Sequence, residues 1–338
     1  MYFKVIVEKY VKNFLIILFA LSFFFVLLDL VSKFSKLPSS SNLQVLYVYY
    51  VFLYGIDLFY PLSLVFAFLL TYYNMVKFNE LVSFYSLGFE KKDLLKPFIS
   101  VGVGVFVIFL LFDSGKLAYT KEYADSILHN NKYTTENLFI KNGNKVIYIK
   151  KIEPIVNTAK DLRVFFLKGK NIYKIVYASS AKFKNNKWYA KDAKIVIYKP
   201  EEILEKQSDI EFLKNFKPKI VANLKTLNSI SYLDALTAIR VFKDVRIQKL
   251  YSIILFKLLT PLIMIFLIAV TFLKGPIHLR ISNVSLYMIK SVFFALFVWG
   301  GEFIIFRFAK QGVLPYYVLF LPFIISAVYF CVIYYKEK

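Results

Sequence analysis

The sequence has little of the chemistry that enzymes and metalloproteins usually need. Its single cysteine, Cys331, excludes an intrachain disulfide, and its two histidines, His129 and His278, have no partner at ligand spacing. It contains no Gly-x-x-x-x-Gly-Lys-Ser/Thr loop, and no His-Glu-x-x-His, Gly-x-Ser-x-Gly or Cys-x-x-Cys motif. We therefore expect a protein that is not an enzyme and has no catalytic residue, metal or cofactor of its own.

Acidic residues are also few, with 22 Asp and Glu against 44 Lys and Arg, which gives a net charge of +22. No nucleic-acid-binding signature accompanies this charge, so anionic lipids or an anionic substrate are the expected partners, not nucleic acid. Hydrophobic residues make up 58% of the chain, with 37 Phe and 26 Tyr. They lie in blocks of about 20 residues, the length needed to cross a bilayer core. The sequence thus predicts a polytopic membrane protein.

Six apolar blocks predict six transmembrane helices in two groups of three. The first block resembles a signal peptide without a cleavage site, so we interpret it as an uncleaved helix. Gly55, Asp57 and Pro61 interrupt the second block and predict a short interfacial segment followed by a span. The blocks cover approximately residues 14–32, 44–73, 98–112, 250–273, 284–306 and 313–335.

The segment 119–249 has no block of spanning length, and short runs of β-forming residues recur in it between turn signals. Asn142-Gly143 before Val146 is a strong hairpin signal. The segment predicts an antiparallel meander, folded as a sandwich or open barrel with both faces covered, and then a helix from Ser231 to Phe242. The predicted domains are residues 1–118 with three spans, 119–249 with the β domain, and 250–338 with three more spans.

Lys and Arg are more frequent in the short segments on the side of the two termini than in those on the opposite side. The positive-inside rule therefore predicts cytoplasmic termini and a β domain outside.

The cytoplasmic segment 74–96 predicts a short amphipathic helix. Asn79 is a good N-cap residue, and Leu81, Phe84, Tyr85 and Gly88 follow helical spacing. Such a helix lies on the membrane surface or docks a cytoplasmic partner, and the pattern alone leaves both readings open.

This segment resembles the coupling helix of the lipopolysaccharide-export permeases of the LptF/LptG (YjgP/YjgQ) family, in which Ser/Asn-Glu-Leu precedes an aromatic or small stripe and Gly-Phe or Gly-Val. The resemblance covers essentially the whole chain and favours the LptG paralogue. The other matching pieces are 141–149, 177–183 with Trp188, Pro261, Gly275-Pro276, 312–315 and Pro322.

The resemblance implies a multi-pass protein of the inner membrane of a Gram-negative bacterium, with cytoplasmic termini and an inserted periplasmic β-jellyroll. It implies an LptF–LptG heterodimer on a dimer of the ATPase LptB, which binds the ATP, with the single-span protein LptC associated. Lipopolysaccharide would enter between the first and fifth spans and leave over a periplasmic bridge toward the outer membrane. The residues expected to contact the ATPase are Glu80, Leu81, Phe84, Tyr85, Gly88 and Phe89.

Charged residues near the outer ends of the first and fifth spans are expected to contact the lipid substrate. Lys33 falls where the family places a functional lysine, and Asp29 is spaced to pair with it. Snorkelling is the alternative for the lysines, and an interfacial anchor the alternative for the arginine. The expected substrate-binding residues are Asp29, Lys33, Lys36, Glu302, Arg307 and Lys310.

Two alternatives stay open at this point. A lipoprotein-releasing or macrolide-type ABC permease would carry its large domain after the first span. A non-transporting membrane scaffold would use the β domain only to bind another protein.

Overall fold

The computed structural model describes residues 2–128, 135–142, 144–153, 157–169, 171–185, 187–198, 203–212, 230–241, 247–278 and 283–336. The chain forms two units. The helical unit comprises Met1–Ser35, Val48–Ala118 and Tyr251–Lys338, and the second unit comprises Lys36–Tyr47 and Tyr119–Leu250. The second unit therefore includes Lys36–Tyr47, which the sequence-based boundaries assigned to residues 1–118.

Six helices within the described residues are long and apolar enough to cross a membrane, which confirms the predicted number. They are α1 (Tyr2–Lys33), α2 (Ser41–Lys77), α4 (Lys91–Asp113), α7 (Ile247–Lys274), α8 (Val284–Gln311) and α9 (Phe320–Lys336). The shorter helices are α3 (Glu80–Ser86), α5 (Thr120–Leu128) and α6 (Tyr232–Val241). Three 3₁₀ turns cover Phe34–Lys36, Leu117–Tyr119 and Tyr316–Leu319.

The first helix begins well before the apolar block that predicted it. Ile6, Tyr10, Phe14 and Leu18 recur every four residues and are all buried, so one helical stripe continues through the charged N-terminal segment. The Tyr10 hydroxyl donates a hydrogen bond of 3.0 Å to the carbonyl oxygen of Leu64 in α2.

The prediction that the second block is divided is wrong, because α2 continues through Gly55, Asp57 and Pro61. Gly55 lies against α1, where an added Cβ would come within 3.4 Å of Ser22. Asp57 forms an ion pair with Lys257 of α7. Pro61 removes one backbone hydrogen bond, a loss that helices tolerate inside a membrane bundle.

An aromatic core joins α2, α4 and α7. The Phe98 ring centroid lies 5.1 Å from that of Phe68 and 5.7 Å from that of Phe272. The ring of Tyr72 packs edge-on against Phe272, at 5.4 Å. These four side chains are almost completely buried, so three helices from both halves of the sequence share one interior.

The predicted antiparallel meander is confirmed in the second unit. In the part of the chain that the structure describes, six strands form one sheet in the order of the sequence, and each pairs with the next. The last strand was not predicted, because its sequence is mostly polar. The strands are β1 (Thr135–Asn142), β2 (Lys145–Glu153), β3 (Thr158–Lys168), β4 (Asn171–Lys184), β5 (Lys187–Tyr198) and β6 (Ile203–Phe212).

The two faces of this sheet differ in character, and their cover by a second sheet, a partner or a lipid chain stays a prediction. One face carries buried aliphatic side chains such as Ile147 and Leu162. On the other, the Arg163 guanidinium lies between the rings of Tyr148 and Tyr177, at 5.9 and 5.6 Å from their centroids. These three side chains carry polar groups, which explains how this face of the sheet remains partly exposed to solvent. A jellyroll needs strands outside a simple meander, so that part of the fold stays a prediction.

The helix predicted at Ser231 is confirmed as α6. Ser231 caps it, since its hydroxyl oxygen accepts a 3.2 Å hydrogen bond from the Asp234 backbone N–H. The Asp234 carboxylate accepts a 2.5 Å hydrogen bond from the Tyr119 hydroxyl, and burial of this phenol raises its pKa. This contact joins Tyr119, the first residue of the segment Tyr119–Leu250 in the second unit, to α6. The predicted last residue, Phe242, lies outside the described residues.

The Gly275-Pro276 pair after α7 has a packing requirement. The Tyr72 hydroxyl occupies the space that a Cβ on Gly275 would take. The same hydroxyl donates a hydrogen bond of 3.1 Å to the Pro276 carbonyl oxygen. Glycine at this position therefore lets α2 hold the end of α7.

We expect Gly275→Ala to lower the stability of the purified chain by about 1–3 kcal/mol, because the added methyl group displaces Tyr72. Gly104→Ala is the matched control, since a Cβ at Gly104 of α4 meets no atom within 4 Å. Thermal unfolding of both variants in detergent, followed by circular dichroism, measures the difference. Equal midpoints for the two variants would contradict the packing argument.

Candidate functional site

The segment between α2 and α4 forms the short helix that the sequence predicted. Asn79 precedes α3 with φ 58°, a left-handed conformation that asparagine tolerates, although its side chain forms no capping hydrogen bond. Gly88 follows the helix at φ 87°, which confirms that a glycine ends it. These two positive-φ residues turn the chain sharply on either side of α3.

Glu80, at the start of α3, is paired within the chain. The Lys9 ammonium on α1 donates to both of its carboxylate oxygens, at 2.6 and 2.7 Å. Both side chains are partly exposed, and such pairs contribute about 0.2–1 kcal/mol. The pair orients the carboxylate more than it stabilises the fold.

The apolar stripe of α3 faces the chain's own helices. Leu81 is fully buried, and Phe84 and Tyr85 are half-buried. The ring centroids of Phe84 and Phe89 lie 6.3 and 4.3 Å from that of Tyr2 at the start of α1. In this structure these side chains hold α3 against the bundle. The expectation that Leu81, Phe84 and Phe89 fill a groove in a partner stays a prediction.

A different apolar set points outward at this end of the helical unit. Phe78, Val82 and Leu87 are exposed, with 72% of Leu87 accessible. Gly88 is also exposed, and no atom approaches the position of its missing side chain. We refer to Phe78, Val82, Leu87 and Gly88, with Glu80 at their edge, as the outer face of the α3 loop.

The charges predicted at the ends of the spans lie in separate local contacts. Lys33 forms the expected ion pair with Asp29, one turn earlier on α1, at 2.8 Å. On α8 the Arg307 guanidinium lies 5.1 Å from the Phe303 ring centroid, and the Lys310 ammonium 5.8 Å from that of Phe306. Lys36 is exposed in the second unit.

Glu302 differs from the other five predicted substrate residues. It is 1% exposed in α8, and neither carboxylate oxygen has a hydrogen-bond partner in the structure. Its carboxylate is therefore buried within the helical unit, as carboxylates inside spans usually are.

A buried ion triad that sequence reasoning missed joins three spans. The Lys257 ammonium of α7 lies 3.1 Å from an Asp57 oxygen of α2 and 2.7 Å from an Asp113 oxygen of α4. The three side chains are 18%, 11% and 3% exposed. A charge inside the second and fourth apolar blocks, and one directly after the third, was the available signal, but the partners are 144 and 200 residues apart.

The same three helices are also joined near the α3 loop. The Lys91 ammonium, in the first turn of α4, donates a 3.0 Å hydrogen bond to the Leu273 carbonyl oxygen at the end of α7. The Tyr72–Pro276 hydrogen bond joins α2 to the segment after α7. With the aromatic core between them, polar contacts at both ends make α2, α4 and α7 one packed block.

The fold and these contacts define a class of protein. Two groups of three candidate spans flank an antiparallel sheet, and a short helix with an exposed apolar face links the second and third spans. This is a multi-pass membrane protein with a β-sheet unit inserted between its two groups of candidate spans.

Residues 4–336 match the model of one family, described as "Lipopolysaccharide export system permease LptF/LptG". The chain belongs to this family and is a multi-pass inner-membrane permease for lipopolysaccharide export, a transport subunit rather than an enzyme. The match does not distinguish LptF from LptG. No curated protein matches the chain.

We expect Lys257→Met to destabilise the helical unit by about 3–5 kcal/mol, because it leaves two buried carboxylates without a cation. The triple variant Asp57→Asn, Asp113→Asn, Lys257→Met removes all three charges and is expected to regain most of this stability. Unfolding midpoints of the purified variants measure both effects. A triple variant no more stable than Lys257→Met would show that charge pairing is not what Lys257 supplies.

Proposed function

We propose that this chain is the membrane-spanning subunit of an ABC transporter that extracts lipopolysaccharide from the inner membrane and passes it to a periplasmic bridge toward the outer membrane. Its partners are an LptB-like ATPase dimer, which binds the ATP, a paralogous LptF or LptG permease, and an LptC-like single-span protein. The chain itself uses no cofactor. Its termini and α3 lie in the cytoplasm, and the sheet lies in the periplasm.

The observation that carries this proposal is the outer face of the α3 loop. Phe78, Val82 and Leu87 expose apolar surface beside the Glu80 carboxylate. Apolar residues next to a charge suit a protein groove with a basic rim. The anchored stripe behind them holds the loop firmly, so that a force applied to the loop reaches the bundle.

The packed block of α2, α4 and α7 provides the route for that force. The α3 loop connects α2 and α4 directly, and the triad at Lys257 and the hydrogen bond from Lys91 join α7 to both. Closure of the ATPase dimer moves the block as one body. Because α7 follows the β domain in sequence, its displacement also reaches the link to that domain.

The lipid route follows the exposed side of α1. Val31, near the outer end of α1, is 79% exposed, and Leu27 and Phe24 on the same helix are 62% and 59% exposed. These side chains suit acyl chains that enter between α1 and α8. Lys33 and Lys36 at one end, and Arg307 and Lys310 of α8, supply positive charge for the lipid phosphates.

The two alternatives left open by the sequence make different demands on topology and partners. A lipoprotein-releasing or macrolide-type permease has its large domain after the first span, whereas the sheet here follows the third candidate span. A non-transporting scaffold needs neither an ATPase nor a lipid path, so the two experiments below separate it from a permease.

We expect Glu80→Gln to reduce copurification of the ATPase with the chain by tenfold or more, because the variant loses the carboxylate that faces the partner. Lys9→Gln is the matched control. It breaks the same ion pair but leaves the carboxylate of Glu80 in place. Affinity purification from cells that coexpress the transporter subunits measures the association.

The two variants must therefore differ in the amount of ATPase that copurifies with them. Equal loss in Glu80→Gln and Lys9→Gln would assign Glu80 a purely internal role, and full association in Glu80→Gln would count against docking at this face. Leu87→Ser tests the apolar part in the same assay. Its side chain is mostly exposed, so loss of association here reports contact with the partner and not a fold defect.

We expect a photoreactive amino acid at Val31 to crosslink lipopolysaccharide in an ATP-dependent manner when the full transporter is reconstituted. The same residue at Leu64, which is completely buried in α2, is the control and should give no crosslink. Immunoblotting for lipopolysaccharide on the chain measures the product. Absence of ATP dependence at Val31 would favour the scaffold.

A further inference from the structure

A cavity of about 330 Å³ lies between α7, α8 and α9 within the helical unit. Its size is that of a pocket for a small organic molecule. Nearly all of its wall is hydrocarbon or aromatic, contributed by three helices. The lining side chains most relevant to ligand chemistry are Phe266, Phe294, Phe297, Ile325, Tyr329 and Glu302.

Glu302 supplies this cavity with an unpartnered acidic group. It is 1% exposed, and both carboxylate oxygens lack a hydrogen-bond partner among the residues that the structure describes. It lies 9 positions before Gln311, the last residue of the 28-residue helix α8, or about 14 Å along the axis at 1.5 Å per residue. An isolated carboxylate this deep in a span is costly and usually marks a functional site.

The other polar side chains of the cavity are already satisfied. The Ser326 hydroxyl donates a 2.8 Å hydrogen bond to the Phe323 carbonyl oxygen. The Tyr329 hydroxyl accepts a hydrogen bond from the Lys274 ammonium. Neither bond involves Glu302, and none of the side chains that line the cavity pairs with its carboxylate.

We propose that this cavity binds an amphiphile whose polar end is a cationic amine. The ammonium donates hydrogen bonds to the Glu302 carboxylate and neutralises it in a low-dielectric site. The aliphatic part of the ligand fills the hydrocarbon wall that the three helices contribute. An anionic or neutral amphiphile fits the wall equally well but leaves the carboxylate unpaired.

This site lies apart from the docking surface and the triad. The inference requires only that the chain spans a membrane, so its failure would be distinct from failure of the proposed ATPase coupling. It also gives Glu302 a role that phosphate binding does not, since a carboxylate repels a phosphate.

The chain contains its own reporter for the test. Trp299 lies one helical turn before Glu302 in α8, and the other tryptophan, Trp188, lies in the second unit. The full chain in phosphatidylglycerol nanodiscs is titrated with nitroxide-labelled dodecylammonium, which quenches a nearby indole. Dodecanol and dodecyl sulfate with the same label are the neutral and anionic probes, and Trp299→Phe identifies the signal.

We expect saturable quenching of Trp299 by the ammonium probe and at least tenfold weaker binding of that probe to Glu302→Gln. The alcohol should bind wild type and Glu302→Gln equally, which also shows that the cavity is intact in the variant. Glu8→Gln is the control for a carboxylate on the exposed surface of a span and should change nothing. Equal affinity of wild type for the ammonium and the alcohol, or no effect of Glu302→Gln, would overturn the proposal.

A second variant covers the case in which Glu302→Gln also loses the alcohol. Glu302→Asp keeps the charge, so a retained preference for ammonium over alcohol supports the site and a lost preference counts against it. Addition of phosphatidylethanolamine then identifies the source of the amine. Competition with the probe indicates a membrane lipid, and intact binding indicates a free amphiphile.

Discussion

The arrangement of the helical unit depends on how the Lys257 ammonium is neutralised inside a span. An unpaired ammonium there costs several kcal/mol, so α7 must lie where carboxylates can reach it. Asp57 and Asp113 meet this requirement from α2 and α4. Such a network adds little net stability over well-packed apolar residues, but it penalises every other register of these three helices. It therefore specifies the packing on which the aromatic core around Phe98 is built.

In the proposed transporter, that constraint lets a seven-residue helix act on a large bundle. The α3 loop has too few residues to be stable alone, and it is held by the buried Leu81 and by the contacts of Phe84 and Phe89 with Tyr2. These inward-facing residues belong to the apolar stripe that the family resemblance assigns to contact with a partner. The surface left for a partner is smaller, but it is attached to helices that share one interior.

Much of the architecture was predictable from local pattern. Apolar blocks predicted the six spans, and the Asn142-Gly143 turn and the Ser231 cap predicted a hairpin and α6. What failed depended on contacts distant in sequence. Gly55, Asp57 and Pro61 read as breaks because their compensating partners, Ser22 of α1 and Lys257 of α7, are not visible locally. The contacts of the α3 stripe with Tyr2 are also distant in sequence, and an amphipathic pattern does not say whether its apolar face meets the chain itself, another protein or both.

A charged side chain buried in a span needs a counter-charge and hydrogen-bond partners. The triad supplies them within the chain, and Glu302 has neither among the described residues. Lys257 has two carboxylates within hydrogen-bonding distance, whereas Glu302 has an apolar cavity and no donor. Protonation would remove the charge of Glu302, but it would leave a buried O–H and C=O unsatisfied, which still costs free energy in hydrocarbon. A ligand ammonium supplies the counter-charge and the missing donors together. A largely apolar cavity whose one unpartnered polar side chain is a carboxylate is therefore better matched to an amine-bearing amphiphile than to an empty, protonated state.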